Sequence, residues 1–282
     1  MPLQSILQEL QKASQGGYAI PLFDVFDMYS VEGVFEALEG KRAPTILGFY
    51  ARFFDLPNAE ALTAYICTRA QKTGMPVSLM LDHGASIEQC LKALRLGFSD
   101  VMYDGSQLPF NENIQNTHAV VQAAHALGAS VEAELGHVGQ GDHYDLFGRQ
   151  RQGFTDPALV EKFVDETGVD ILAIAFGNAH GLYQGEPRLD LNLVGEIRRR
   201  VQVPLVMHGG TGLTNAGYRD VIAAGISKIN IATAIVNTAS ARMVDEAHAK
   251  DVSMFSMMDT VRHTYRDCCS HYLDVLGTSG RG

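Results

Sequence analysis

The sequence has 282 residues, of which 46% are hydrophobic, and a formal net charge of -10. This length suits two small domains or one α/β barrel of about 250 residues. The acidic balance and the lack of a basic run argue against nucleic acid as a partner, and no apolar run approaches the ~20 residues that span a membrane. The four cysteines show neither CxxC spacing nor a disulfide framework, so we expect a cytoplasmic protein.

The chain alternates between apolar runs of strand length and helical patterns, after a predicted amphipathic helix near the N-terminus. The eight candidate strands are Ala19–Phe23, Pro44–Phe49, Val77–Leu81, Asp100–Met102, Ser130–Glu134, Ile171–Phe176, Leu205–His208 and Lys228–Ile231. The clearest helical patterns are Ser86–Leu96, Ile114–Leu127, Pro157–Thr167 and Asn192–Val201. Eight β-α units without a linker predict an α/β fold with one (β/α)8 TIM barrel domain over residues 1–282. A doubly wound sheet is the alternative, but no GxGxxG follows the first strand.

Chemically capable side chains stand at or near the ends of nearly all candidate strands. They are Asp24, Asp82, His83, Asp104, Glu132, Glu134, His180, His208 and Asn230. In a (β/α)8 barrel the carboxyl ends of the strands converge on one face, where the active sites of this fold lie. The pattern therefore predicts one site built from distant parts of the chain.

Three of these residues, His83, His180 and His208, point to a metal ion. One histidine at a strand end is more often held by a backbone carbonyl, but three on one barrel face favour metal binding. Three imidazoles leave one position on Zn²⁺ open, which is typical of catalytic zinc sites. Such a zinc can polarise a carbonyl oxygen.

Asp82 directly precedes the first of these histidines. Neighbouring side chains face opposite sides of an extended strand, but both can reach the cavity where the chain turns at the strand end. A carboxyl group there could exchange a proton with a substrate oxygen. The alternative is that Asp82 only orients a histidine.

Two segments after adjacent strands have the features of a phosphate site. They comprise Gly209, Gly210 and Thr211 after the seventh strand, and Asn230, Ile231, Ala232 and Thr233 at the end of the eighth. Small residues leave backbone N–H groups accessible to an anion. The loops after strands seven and eight form the recurrent phosphate site of this barrel, whereas either segment alone could be a tight turn.

The longest loop, Gly136 to Gly153, is rich in glycine, glutamine and charge. It is longer than most connections between a strand and a helix. We predict a mobile loop over about residues 136–154 that covers the site; an ordinary surface loop is the alternative.

Five motifs together resemble those of the class II, zinc-dependent fructose- and tagatose-bisphosphate aldolases. They are LDHGAS (81–86), VEAELG (131–136), GNAHGLY (177–183), MHGGTGL (207–213) and KINIAT (228–233). The resemblance runs in order from about residue 3 to residue 279. It implies Zn²⁺ as the cofactor, with a monovalent cation such as Na⁺ or K⁺ as a second ion. It also implies a sugar phosphate substrate and a homodimer or homotetramer.

The resemblance assigns roles to single residues. The three histidines match the zinc ligands, and Asp82 matches the acid that exchanges the hydroxyl proton of the cleaved bond. Asp104 and Glu134 match carboxylates near alternative metal positions. Gly181 and the two segments after strands seven and eight match the dihydroxyacetone phosphate site. Asp142 aligns with a loop glutamate that shuttles the C–H proton in the family.

The departures from the family pattern cluster where the far end of the substrate would lie. The stretch 48–54 (GFYARFF) replaces small hydroxyl and glycine residues, and Asp24 and Asp27 replace asparagines. The residues 184–186 (QGE) lack the usual lysine, and Phe255 aligns with an arginine that grips the second phosphate. Fewer cations and more carboxylates should disfavour a second dianionic phosphate.

These features predict an aldolase that reversibly cleaves a ketose 1-phosphate into dihydroxyacetone phosphate and an aldehyde. Arg52 could bind a carboxylate or sulfonate at the far end, and Asp24 would lie beside it; alternatively, Arg52, Arg262 or Arg281 grips a second phosphate. A fructose-1,6- or tagatose-1,6-bisphosphate aldolase is therefore an alternative. The others are a metal-dependent sugar-phosphate epimerase or isomerase and a non-catalytic paralogue.

Overall fold

The eight predicted strands form a closed parallel barrel in the computed structural model, which describes residues 3–141, 151, 153–183, 185 and 187–282. The strands are β1 (Ile20–Asp24), β2 (Thr45–Tyr50), β3 (Val77–Gly84), β4 (Asp100–Tyr103), β5 (Ser130–Leu135), β6 (Gly139–Gln140), β7 (Ile171–Ile174), β8 (Ala179–His180), β9 (Leu205–Met207) and β10 (Ile226–Ile231). Around the barrel the order is β1-β10-β9-β7-β5-β4-β3-β2, and β6 and β8 pair separately. The predicted (β/α)8 barrel is confirmed.

Helices alternate with the strands and surround the barrel. They are α1 (Leu7–Gly16), α2 (Met28–Lys41), α3 (Ala51–Phe54), α4 (Ala59–Ala70), α5 (Ile87–Arg95), α6 (Phe110–Ala126), α7 (Pro157–Thr167), α8 (Leu191–Arg200), α9 (Asn215–Ala224), α10 (Thr233–Ala247) and α11 (Met254–Val275). Among the described residues, no helix combines the length and the apolar character that a membrane crossing requires.

Local signals explain why α7 has the bounds that the sequence predicted. The Asp156 side chain accepts a hydrogen bond from the Ala158 N–H, and Pro157 stands in the first turn, where its missing N–H is not needed. Gly168 ends the helix with φ 69°, a left-handed conformation that favours glycine.

Two apolar layers fix the barrel, and the smaller one closes its amino end. The larger layer lies between the strands and the surrounding helices. The smaller one packs Ile6, Leu10 and Ala13 of the N-terminal segment against Ile20 and Met80 inside the barrel. Because this helix covers the amino end, the carboxyl ends of the strands remain for a substrate.

A buried carboxylate anchors the N-terminal segment to the same end. Asp100 has no exposed surface and accepts hydrogen bonds from the hydroxyls of Ser5, Ser78, Ser99 and Ser130. The Ile6 N–H also donates to it, at 3.2 Å. Burial raises the pKa of Asp100 to about 6, although the serine hydrogen bonds lower it.

The raised pKa of Asp100 predicts that this carboxyl makes the fold less stable as pH rises. The folded state keeps the proton up to about pH 6, whereas the unfolded chain loses it near 3.8, so the folded state is favoured below that range. At about 1.4 kcal/mol per pKa unit, the difference is about 3 kcal/mol. Urea unfolding of Asp100→Asn and wild type should show the variant gaining about that much relative stability between pH 4 and pH 7. Parallel pH profiles would contradict this.

Candidate active site

A cavity of about 760 Å³ opens at the carboxyl ends of the strands. The predicted strand-end residues that line it are Asp24, Asp82, His83, Asp104, Glu134, His180, His208 and Asn230. Glu132 belongs to the same set but lies behind His208, with no exposed surface. The barrel therefore brings these residues together, as the sequence pattern predicts.

The end of β3 turns both Asp82 and His83 toward the cavity. His83 has φ 54°, a left-handed conformation that few residues other than glycine adopt. The pairing of β3 with β4 shifts register between Leu81 and Gly84, and such an irregularity re-aims side chains. Two consecutive side chains consequently line one cavity.

The three histidines meet at one point of this cavity. Nitrogen atoms of His83, His180 and His208 all lie within 4.8 Å of one another. His83 Nε2 and His208 Nδ1 are 2.8 Å apart. Nitrogens bound to one tetrahedral zinc are about 3.3 Å apart, given Zn–N bonds of about 2.05 Å. A small adjustment would therefore place these atoms around a single ion.

Carboxylates hold the other ring nitrogens of two of these histidines. Asp104 Oδ2 lies 2.8 Å from His83 Nδ1, and Glu132 Oε1 lies 2.8 Å from His208 Nε2. Such contacts fix the ring orientation and the tautomer of metal-binding histidines. The donor set thus fits a metal ion in its chemistry as well as its spacing.

The protonation of the cluster also fits a cation. Burial, together with the charge on His83, lowers the pKa of both His180 and His208 well below the usual value. Burial would lower the pKa of His83 too, but the charges of Asp82, Asp104 and Glu134 raise it to about 10. The carboxylates therefore favour one positive charge among three imidazoles, a charge that a metal ion would supply.

A second group of ligands shares His83 with the first. His83, Asp104 and Glu134 each offer an atom within 4.8 Å of the others. Burial, and then the charge of Asp104, raise the pKa of Glu134 to about 8. The Val138 N–H donates to Glu134 Oε1 at 2.9 Å, while the buried Oε2 has no hydrogen-bond partner. This arrangement could hold an ion in a second position.

Asp82 has a hydrogen-bond partner, and a second carboxyl group lines the same cavity. The Asn230 Nδ2 donates to Asp82 Oδ1 at 2.8 Å. Asp24 also lines the cavity, is 6% exposed, and has a buried Oδ1 without a partner. Burial and the charge of Asp82 raise the pKa of Asp24 well above its ordinary value. Asp82 and a second carboxyl of raised pKa thus share one cavity.

The predicted phosphate segments contribute unequally. Residues of this set that line the cavity are Gly181, Gly209, Thr211, Asn230, Ala232 and Thr233. Gly210 and Ile231 are not among the lining residues, and the Gly210 N–H donates to the Asn230 carbonyl at 3.0 Å. The expectation that every N–H of residues 209–211 is free therefore needs correction.

Close packing explains the glycine at position 209. Gly209 has φ 67°, and a Cβ there would lie 1.9 Å from the Ala179 carbonyl oxygen. Helix α10 starts beside it at Thr233, without a side-chain cap at Ala232. A helix N-terminus next to such a turn favours an anion.

The far end of the cavity carries one of the three arginines named above. Arg52 lines the cavity, as do Tyr50 and Asp24. Arg262 instead pairs with Glu36 at 2.6 Å, and Arg281 lies over the ring of Tyr18.

Two of the residues that depart from the family pattern face away from this end. Asp27 accepts hydrogen bonds from the N–H groups of Tyr29 and Ser30 and so caps α2. Phe255, near the start of α11, is 80% exposed. Neither lines the cavity.

The long loop is described only near its ends. The His137 N–H donates to the Gly153 carbonyl at 2.7 Å, and Gln140 in β6 pairs with His180 in β8. The loop base thereby helps to position one predicted metal ligand. Asp142, together with residues 143–150, 152, 184 and 186, lies outside the described residues.

A parallel barrel with clustered histidines, a neighbouring aspartate and a helix N-terminus at one cavity is typical of enzymes that can use a metal ion on an anionic substrate. The chain belongs to the family described as class-II fructose-bisphosphate aldolase, whose model matches residues 4–281. It is thus a carbon–carbon lyase, and the resemblance in the sequence motifs is confirmed.

Proteins that are similar to this chain are also described as aldolases. A probable fructose-bisphosphate aldolase of Bacillus subtilis (strain 168) is 38% identical over 236 residues, which cover 83% of this chain and 82% of the relative. The crystal structure of the YdjI aldolase from Escherichia coli K12 superposes with a TM-score of 0.89 at 33% identity, covering 99% of both chains. The fructose-bisphosphate aldolase of Campylobacter jejuni shares the fold, with a TM-score of 0.83 at 21% identity, covering 100% of this chain and 97% of the other.

Proposed function

We propose that this enzyme is a zinc-dependent aldolase that reversibly cleaves a ketose 1-phosphate into dihydroxyacetone phosphate and an aldehyde. The observation that carries the proposal is the meeting of three histidines within 4.8 Å, in the cavity that Asp82 also lines. Membership of an aldolase family supports the reaction type.

His83, His180 and His208 would hold the zinc, since two of them are fixed by carboxylates and two are kept neutral. Bound zinc supplies a Lewis acid for the substrate carbonyl. Asp104 and Glu134 offer an alternative position with His83, or a place for a monovalent cation such as Na⁺ or K⁺.

Asp82 is the proposed base for the hydroxyl group at the bond that breaks. Its Oδ1 accepts from Asn230, and this contact holds the carboxyl in the cavity. Removal of the hydroxyl proton lets the C–O bond become a carbonyl while the C3–C4 electrons pass to the ketose half. In the reverse direction the same carboxyl returns the proton. We assign the C–H proton of dihydroxyacetone phosphate to a loop residue, for which Asp142 remains the candidate.

The phosphate of the ketose would lie between Gly181, Gly209 and Thr211 and the start of α10. The helix N-terminus favours the negative charge, and Ala232 and Thr233 also line the cavity there. We call these residues the phosphate wall. This places C1 of the sugar at the phosphate wall and its far end toward Arg52.

The far end favours a substrate with one phosphate. Among the described residues that line the cavity, Arg52 is the only arginine or lysine, and a second dianionic phosphate would need more positive charge than one guanidinium supplies. A carboxylate or sulfonate carries less charge than a phosphate and matches the guanidinium bidentately. Asp24 would accept a hydrogen bond from a substrate hydroxyl.

A coupled assay tests the substrate. Cleavage of ketose 1-phosphates that end in a hydroxymethyl group or a carboxylate is compared with cleavage of fructose 1,6- and tagatose 1,6-bisphosphate. Glycerol-phosphate dehydrogenase reports dihydroxyacetone phosphate. We expect a higher kcat/KM for the monophosphates. Preference for a bisphosphate would favour the second candidate, a fructose- or tagatose-bisphosphate aldolase, which the similarity to the probable fructose-bisphosphate aldolase of Bacillus subtilis supports. Rearranged ketose without dihydroxyacetone phosphate would identify an epimerase or isomerase.

Arg52→Ala should raise KM for a carboxylate-ended ketose 1-phosphate by about 10- to 100-fold, because a charged hydrogen bond contributes about 1.5–3 kcal/mol. The KM for the matched hydroxymethyl-ended ketose should change little, since it offers no anion to the guanidinium. Arg219→Ala removes an exposed arginine on α9 and serves as the control. Equal changes with both substrates would remove Arg52 from substrate recognition.

The homodimer or homotetramer and the cytoplasmic location remain predictions from the sequence. Sedimentation of the purified chain tests the oligomer.

A further inference from the structure

A lysine is completely buried among the residues behind the active site. Lys228 lies in β10 with no exposed surface. In an extended strand, residues two apart face the same side, so Lys228 stands one layer below Asn230, which lines the cavity. A buried ammonium group is costly unless it has partners, so its contacts indicate what this residue does.

Lys228 has two partners, one on its own strand and one on β5. Its Nζ donates to Asn230 Oδ1 at 2.7 Å. The same atom lies 2.8 Å from Glu132 Oε2. Glu132 Oε2 makes no hydrogen bond, so this second contact is an ion pair between two groups with no exposed surface.

Each partner leads to a different part of the active site. Glu132 Oε1 lies 2.8 Å from His208 Nε2, while His208 Nδ1 faces His83 Nε2. On the other side, Asn230 Nδ2 donates to Asp82 Oδ1 at 2.8 Å. One ammonium group thus connects the histidine cluster and the aspartate.

We propose that Lys228 is a positioning residue that sets the orientation of both His208 and Asp82. The proposal rests on the zinc site and the role of Asp82 proposed above. Lys228 is not among the residues that line the cavity, so it acts through Asn230 and Glu132.

The hydrogen-bonding capacity of Lys228 fixes the orientation of the Asn230 amide. An ammonium group only donates hydrogen bonds, so the carbonyl of the Asn230 amide must face Lys228 and its NH₂ group must face Asp82. A carboxylate at Asp82 then has a donor already aligned with it. On the other side, the charge of Lys228 balances Glu132, whose Oε1 accepts a hydrogen bond from the N–H of His208 Nε2. The lone pair of His208 Nδ1 is left to face the cluster.

The buried Asp100 cluster at the opposite end of the barrel provides a matched comparison. Both residues are charged, lie in strands and have no exposed surface. Asp100 contacts serines and the N-terminal segment and does not line the cavity. A change at Asp100 should alter stability alone, whereas a change at Lys228 should also alter the site.

Lys228→Met and Asp100→Asn are compared with wild type in two measurements. Competition with a chelating dye gives the zinc dissociation constant, which we expect to rise about 10- to 100-fold in Lys228→Met and to stay unchanged in Asp100→Asn. Steady-state cleavage of the preferred ketose phosphate should show kcat lowered about 10- to 100-fold in Lys228→Met, with KM within about 3-fold.

A double-mutant cycle tests the connection through Asn230. The losses in kcat from Lys228→Met and Asn230→Ala should not be additive, because both act on Asp82 through one amide. Asp100→Asn should leave kcat unchanged both in wild type and in the Lys228→Met background. Additive losses in the first pair would overturn the connection to Asp82.

Zinc binding is measured without substrate, which separates this inference from the proposed function. If wild type binds zinc and Lys228→Met binds it equally well with unchanged kcat, the positioning role is wrong even where melting temperature falls. If wild type itself binds no zinc, the proposed function fails first. If Lys228→Met does not fold, the zinc dissociation constant is measured for Lys228→Gln instead. Glutamine keeps a hydrogen-bond donor and removes the charge.

Discussion

Asp82→Asn is expected to lower kcat for cleavage by about 10²- to 10⁴-fold, the usual contribution of general acid–base catalysis. The amide has nearly the same shape as the carboxyl but cannot take a proton from the substrate hydroxyl. KM should stay within a few fold, because the phosphate wall and the histidines are unchanged. The measurement is steady-state kinetics of dihydroxyacetone phosphate release.

A partial reaction makes this prediction specific to the hydroxyl proton. Exchange of a C–H proton of dihydroxyacetone phosphate with deuterated water requires no hydroxyl at the cleaved bond. NMR should therefore show that Asp82→Asn retains most of this exchange while cleavage is lost. Asp220→Asn, an exposed aspartate on α9, serves as the control. Loss of both reactions in proportion would assign Asp82 to orienting a histidine, the alternative that the sequence leaves open.

Strand β7 shows why the sequence predicts the presence of a strand better than the residue at which it ends. The apolar run predicts a strand over Ile171–Phe176, but pairing stops at Ile174. The Ala175 N–H donates to the Thr155 hydroxyl, and the Phe176 N–H donates to the Asn178 side chain. Side chains from outside the strand thus replace its ladder, and an apolar pattern carries no information on that competition.

The buried lysine shows a second limit of pattern reading. The predicted eighth strand starts at Lys228, whereas β10 starts at Ile226. A charge normally marks the edge of a buried run, because isolated charges are costly to bury. Here Glu132, almost a hundred residues earlier, provides the opposite charge. The two-residue strands β6 and β8 escape prediction because they are too short to show a period.

The site itself was predicted through its polar residues at strand ends. His83, His180 and His208 were recognisable because the barrel gathers strand ends at one face. Glu132 was visible as a strand-end carboxylate, but its contact with His208 depends on the packing of two distant strands. The cap that Asp27 provides is a local signal, an aspartate three residues before Ser30 at a helix start. That signal assigns Asp27 to a helix cap, and it leaves Asp24 alone of the two as a candidate for the site.

Replacement of a proposed zinc ligand should have the largest effect of all. His83→Asn is the variant of choice, because asparagine tolerates the left-handed backbone at this position better than most residues. We expect zinc content to fall from about one ion per chain to nearly zero. The kcat/KM should fall by at least about 10³-fold, since a Lewis acid contributes several kcal/mol to transition-state stabilisation.

His125→Asn is the matched control for this loss. His125 pairs with Asp170 at 2.8 Å, as His83 pairs with Asp104 at 2.8 Å, but it is exposed and lies away from the cavity. Stripping wild type with a chelator should reproduce the effect of His83→Asn, and added Zn²⁺ should restore the activity of wild type alone. Full activity of the stripped wild type, or of a folded His83→Asn, would contradict a metal-dependent reaction. If only the stripped wild type stays active, the histidine cluster would be a charged network around Asp82, because the positive charge on His83 that Asp82, Asp104 and Glu134 stabilise would remain without an ion.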